Sequence, residues 1–144
     1  MAGIVPDANV VAKWFLGDED LATHAIAVRD ALRDGALEGV APDHLPYEVG
    51  QTLVKAIRRG RLDSERIVPA LEALSDFGLE LVRFDHLRDA SVSLALELGV
   101  SLYDAAYLAV SEGRAAPLIT ADRRLFETAS AAGHDVVWLG DVPV

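Results

Sequence analysis

The 144-residue chain has no cysteine and a single methionine. Disulfides and thiolate metal sites are therefore excluded, and a reducing, cytoplasmic setting is the expected one. Long hydrophobic runs are also missing. No stretch of about 18 apolar residues occurs, so no membrane-spanning helix is expected. MAGIVPDAN at the start has no basic segment followed by an apolar one, so no signal peptide is expected. Basic residues are few, 13 against 23 acidic ones, for a net charge of −10. A generic nucleic-acid binder carries the opposite balance. The basic residues are nevertheless clustered. Lys55, Arg58, Arg59, Arg61 and Arg66 share one stretch, and Arg123 and Arg124 form a pair. Overall acidity with local basic patches suits a cation-requiring site and a basic partner.

What remains is a chain built for a core: 51% of its residues are hydrophobic and 25% charged. Its length fits one domain, expected to span residues 1–144. Short apolar runs alternate with helical patterns. Strands are expected at Ile4–Val5, Leu37–Ala41, Leu79–Phe84, Leu118–Thr120 and Val136–Leu139. Helices are expected over Ala8–Leu16, Leu21–Asp34, Leu45–Arg59, Asp63–Ser75, Asp85–Leu98, Tyr103–Glu112 and Arg123–Ala132, with Asp63 or Ser64 capping the fourth. This alternation predicts an α/β fold, a parallel sheet of about five strands with helices on both faces.

In such a sheet a ligand site lies beyond the carboxyl ends of the strands. Four acids fall there. Asp7 follows the first strand and Asp122 the fourth; Glu48 sits one turn into the helix after the second; Asp104 opens the helix before the fourth. Each has a plainer reading. Asp7 and Asp122 can cap helices, and Ser101-x-x-Asp104 has capping-box spacing. Asp43 reads as a loop or cap residue. Glu48 shares a helical stripe with Leu45, Val49, Thr52 and Leu53, so it needs a partner. Neither neighbouring position, 44 or 52, supplies a basic residue by this reading, which leaves Lys13 as a distant candidate. Together the four acids argue for a cation. Two carboxylates about 4 Å apart repel by roughly 4 kcal/mol at an effective dielectric near 20. Either their pKa values rise or a divalent ion neutralises them. An all-oxygen ligand set selects Mg²⁺ or Mn²⁺ over zinc. An ion so held can lower the pKa of a bound water and neutralise charge during phosphodiester hydrolysis.

No protein nucleophile is needed, and neither a G-x-S-x-G elbow nor a phosphate-binding G-x-x-x-x-G-K-[ST] loop is present. Asn9 and Thr120 are candidate supporting residues beside Asp7 and Asp122, or equally local structural ones. The histidines, His24, His44, His86 and His134, lack ligand spacing and read mostly as surface residues. Trp14, Phe15 and Tyr103 read as core.

The segments VPDANVVAKWF, APDHLPYEVGQTL, SLYDAAYLAVSEG and LITADRRL, in this order, resemble the PIN-domain nucleases. Within them the chain is most similar to the VapC-type toxins of toxin–antitoxin pairs. The resemblance spans nearly the whole chain. It implies an acidic Mg²⁺/Mn²⁺ site with Asp7, Glu48, Asp104 and Asp122 as the catalytic and metal-holding acids, supported by Asn9 and Thr120. It also implies endoribonuclease activity, a homodimer, and a VapB-type antitoxin whose basic segment covers the groove, an association that an acidic toxin favours. Pro6 departs from the apolar residue usual before the first aspartate, though proline is tolerated at a strand end. RNA would then meet Arg58, Arg59, Arg123 or Arg124 at the rim. Two rival functions remain: a non-catalytic PIN-like module that docks a basic partner, and a nuclease acting on DNA.

Overall fold

A computed structural model describes residues 2–144. Five strands, β1 (Ala2–Pro6), β2 (Leu37–Pro42), β3 (Glu80–Val82), β4 (Leu118–Thr120) and β5 (Val136–Trp138), form one sheet in the order β3-β2-β1-β4-β5. Every pairing is parallel. Seven α-helices connect them: α1 (Ala8–Ala12), α2 (Ala22–Arg33), α3 (Leu45–Arg58), α4 (Ile67–Ala73), α5 (Phe84–Leu98), α6 (Leu102–Arg114) and α7 (Arg123–Ala131). The expected α/β architecture is the one observed.

Consecutive residues of a strand point to opposite faces. Ile4, Val5 and Pro6 are all buried, as are Leu118, Ile119 and Thr120. The two central strands are therefore covered on both sides, as parallel sheets require. The most buried cover is α6, whose residues from Ala105 to Ser111 are all inside. It packs against β1, β2 and β4 and carries α5 on its flank. Gly39 in β2 lets two leucine side chains pack close over the strand. A methyl group there would meet Leu79 Cδ2 at 2.5 Å and Leu32 Cδ2 at 3.0 Å.

Pro6 fits where it stands. The amides of Val5 and Asp7 both bond to the β4 side, to Pro117 O at 2.9 Å and Ile119 O at 3.0 Å. The nitrogen of Pro6 thus faces β2, and the β1–β2 register ends two residues earlier, at Ile4 with Gly39. No ladder bond is lost.

Two helical segments differ from expectation. The first helix stops at Ala12 instead of Leu16, because the amides of Trp14 and Phe15 reach back only three residues, to Val11 and Ala12, tightening the end into turns. The segment expected to be one helix from Asp63 to Ser75 divides into α4 flanked by 3₁₀ turns at Ser64–Arg66 and Leu74–Phe77. Asp63 makes no side-chain cap there, so the chain enters by a tight turn rather than by a capped α-helix. No single helix among the described residues is long and apolar enough to cross a membrane.

Candidate functional site

After β1 the chain order runs to β2 on one side of the sheet and later to β4 on the other, so the sheet reverses direction between β1 and β4. A crevice at such a switch point lies beyond the carboxyl ends of the strands. Asp7 stands one residue past β1 and Asp122 two past β4.

Both aspartates do cap their helices. Asp7 Oδ1 accepts from Val10 N at 3.0 Å, and Asp122 Oδ1 accepts from Leu125 N at 3.1 Å. Capping uses one oxygen of each carboxylate and does not exhaust either group. Thr120 joins the two residues. Its hydroxyl donates to Asp7 Oδ2, and its oxygen accepts the amide of Asp122 at 3.0 Å. Thr120 is fully buried and Asp7 only 4% exposed. A buried carboxylate without a cationic partner resists ionisation. Burial accordingly pushes the Asp7 carboxyl from its ordinary 3.8 up to about 7, against the lowering effect of Thr120 and the Val10 amide, with small upward contributions from the Asp104 and Asp122 charges.

Asp104 sits in the first turn of α6. Ser101 Oγ accepts its amide at 3.1 Å, which satisfies the helix start through Ser101. Half-burial raises the Asp104 carboxyl, and so do the charges of Asp122 and Glu48; the Ser101 hydroxyl and His44 oppose them. Asp104 thus lies in the field of acids from both flanks. It shares a hollow of about 320 Å³ with Asp122, Ser101 and Arg124.

Glu48, on the first turn of α3, has partners that sequence patterning passed over. Tyr107 donates its hydroxyl to Glu48 Oε1 at 2.9 Å, and His44 Nε2 lies 3.0 Å from the same oxygen, off the line a good hydrogen bond needs. Lys13, the expected distant partner, instead pairs with Glu19 at 3.5 Å. The chain offered one local signal: His44 stands four residues before Glu48, the i,i+4 spacing of helical neighbours. Nothing local pointed to Tyr107, 59 residues away. Burial, followed by the charge of Glu48, holds the Tyr107 hydroxyl far above its ordinary range, so it remains a donor. His44 also meets the rings of Tyr103 and Tyr107 edge-on, each at 5.3 Å between centroids. Of the histidines expected at the surface, only His86 is exposed. His44 is half-buried here, His24 is held by Val142 O at 2.8 Å, and His134 by Glu112 at 3.0 Å. Tyr103, expected in the core, is 61% exposed.

The other candidates divide. Asn9 is exposed on α1 and makes no side-chain hydrogen bond among the described residues. Arg124 lines the hollow beside Asp104 and Asp122, and Arg123 lies next to it on α7. Arg58 and Arg59 stand at the far end of α3, about 15 Å along the helix from Glu48. A larger hollow of about 780 Å³ lies elsewhere, between β3, α5 and α6. Its charged residues already have partners, Arg114 in Glu80, Arg83 in Asp85 and Glu112 in His134, so chemistry points to the acids instead.

An all-oxygen donor set and a buried carboxyl lacking counter-charge both fit a hard divalent cation. Among the described residues no three acids or histidines are already gathered into a group that could hold an ion. Binding would have to draw these side chains together.

A five-stranded parallel sheet with helices on both faces, with Asp7 and Asp122 at the carboxyl ends of the two strands that flank its switch point, defines the class of fold. The chain belongs to the PIN domain family, which matches it over residues 4–131. It is 33% identical to Ribonuclease VapC3 of Pyrobaculum aerophilum over 126 residues, covering 86% of this chain and 92% of that protein. Among solved structures it is similar to PAE2754 from Pyrobaculum aerophilum, with a TM-score of 0.69 and 21% identity over 96% of this chain and 92% of that one. It is also similar to a toxin–antitoxin complex from Klebsiella pneumoniae, with a TM-score of 0.59 and 20% identity over 93% and 95% of the two chains.

Proposed function

We propose that this chain is a VapC-type endoribonuclease, the toxin of a toxin–antitoxin pair, which hydrolyses RNA phosphodiester bonds at the acidic switch-point crevice. The observation that carries this is Asp7, a buried carboxyl with no cation beside it and a pKa near 7. Likeness to a named ribonuclease over most of the chain supports the substrate class.

In this reading Asp7, Glu48, Asp104 and Asp122 would hold Mg²⁺ or Mn²⁺, and the ion would supply Lewis acidity and charge neutralisation for phosphodiester hydrolysis. Thr120 fixes the Asp7 carboxyl through its Oδ2. Tyr107 holds Oε1 of Glu48, with His44 Nε2 close to the same oxygen, so Oε2 would be left for the ion. Asn9, at the opening of α1, serves the water shell. Arg123 and Arg124 on the near rim, and Arg58 and Arg59 further off, meet the RNA backbone. Residues 1–144 act as one PIN-like unit. The partner is a VapB-type antitoxin with a basic segment, drawn by the net charge of −10.

The test is cleavage of RNA by purified, partner-free protein with Mg²⁺ or Mn²⁺. Asp7→Asn should lower the rate by at least about 100-fold, since it removes a ligand rather than a supporting contact. Equal rates for the two proteins would refute the assignment. Cleavage of DNA in place of RNA would redirect it to another nuclease class.

A further inference from the structure

Arg123 is held in an unusual way for a surface arginine. Its guanidinium lies over the Trp138 indole, 3.8 Å from the ring centroid, and 5.9 Å from the ring of Phe126, one turn further along α7. Phe126 meets Trp138 edge-on at 5.9 Å. The indole is in turn seated against Gly140. A methyl group at that glycine would lie 2.7 Å from Trp138 Nε1 and 3.0 Å from Cδ1. Phe126 of α7 and Gly140 of the 3₁₀ turn Leu139–Asp141 thus hold the Trp138 ring on which the guanidinium rests.

The charge on that plane is free. No carboxylate pairs with Arg123 among the described residues, whereas Arg29, Arg33, Arg61, Arg83, Arg88 and Arg114 all have acidic partners. The group opens into a hollow of about 640 Å³ whose wall also holds Lys13, Asp20, Leu21 and Ala121. Lys13 is committed to Glu19, so Arg123 is the unpaired cation of that wall. Asp122, which lines the acid hollow, immediately precedes Arg123 at the start of α7. The two hollows therefore flank one helix terminus, an acidic one and one presenting a single oriented guanidinium.

Stacking on an aromatic face removes much of the rotational freedom an arginine otherwise loses on binding, and leaves its N–H edges for an oxyanion. We propose that Arg123, positioned by Trp138, is a subsite for a phosphodiester of single-stranded RNA next to the one presented to the acids. This rests on the ribonuclease reading above. It adds a residue that orients the strand without touching the reacting bond, and it assigns Trp138 a positioning role.

The experiment is equilibrium binding of a fluorescent single-stranded RNA to the intact protein in EDTA, where no cleavage occurs, over a series of salt concentrations. Arg123→Ala should bind about fivefold more weakly and lose about 0.7 from the slope of log affinity against log salt, the loss of one single-strand phosphate contact. Trp138→Ala should weaken binding several-fold, and Trp138→Phe, which keeps an aromatic face, should restore most of it. Arg88→Ala, on the exposed far end of α5 from the acid hollow, should leave affinity and slope unchanged. Wild-type affinity and slope in Arg123→Ala overturn the proposal while leaving the ribonuclease reading standing. Equal losses in Arg88→Ala and Arg123→Ala also overturn it, since net charge would then explain both. No RNA binding by the wild type overturns the ribonuclease reading and this inference together.

Discussion

At the scale of single residues, the site is governed by how few partners its acids have. Asp7 is the extreme case. Its folded pKa of about 7 exceeds its ordinary 3.8, so between those values the folded chain binds a proton that the unfolded chain has released. Stability from this group is then complete below about pH 4 and is lost as pH rises through about 7. Three units correspond to about 4 kcal/mol. Asp7→Asn removes the titration. In EDTA, the unfolding free energy of wild type relative to Asp7→Asn should fall by about that amount from pH ~4 to ~8. A pH-independent difference in denaturation curves would rule this out. Tyr107 acts through another residue: its hydroxyl holds Glu48 Oε1. Tyr107→Phe keeps the buried ring and frees the carboxylate to rotate. Mn²⁺ affinity measured by calorimetry should drop roughly tenfold, the usual cost of losing a ligand-orienting contact, with little change in melting temperature. Unchanged affinity would mean that Glu48 needs no such support.

At the scale of elements, the strands and the caps at Asp7, Ser101 and Asp122 were the readable part. Alternation of apolar runs with helical periods yields a parallel sheet, and the strand-end rule places Asp7 and Asp122 beside each other although they lie at opposite ends of the chain. Ends of elements were less legible. Trp14 and Phe15 continue a helical pattern, yet three-residue turns stop α1 before them. Contacts between elements were not legible at all. Periodicity says that Tyr107 is buried, but not that its hydroxyl meets Glu48; nor does it say that Trp138 lies under Arg123. Such pairs are decided by how α6 crosses β2 and how β5 follows α7, which no local pattern encodes. Helix α5 carries the opposite kind of residue, apolar and uncovered. Val92 and Leu96, one turn apart, are 43% and 82% exposed. We propose that the chain forms a homodimer, with this face as its contact. Light scattering after gel filtration should give a dimer for wild type and a monomer for Leu96→Glu; a monomeric wild type would exclude the assignment.

At the scale of the whole molecule, charge and topology pull in different directions. A chain with 23 acidic and 13 basic residues repels nucleic acid and attracts a basic protein segment. Within it, Arg123 and Arg124, neither paired with a carboxylate among the described residues, are a local exception beside the acids. Long-range sheet order makes the same crevice late to appear. Thr120 and Asp7, which touch, are 113 positions apart in the chain, and β1 sits in the middle of the sheet waiting for β4. During synthesis the first acid therefore leaves the ribosome long before its neighbours, and a chain interrupted anywhere ahead of β4 holds no assembled crevice. On the proposed site assignment, premature termination products would lack the centre, and the interval before Asp122 emerges is a window in which a growing chain has no nuclease to restrain.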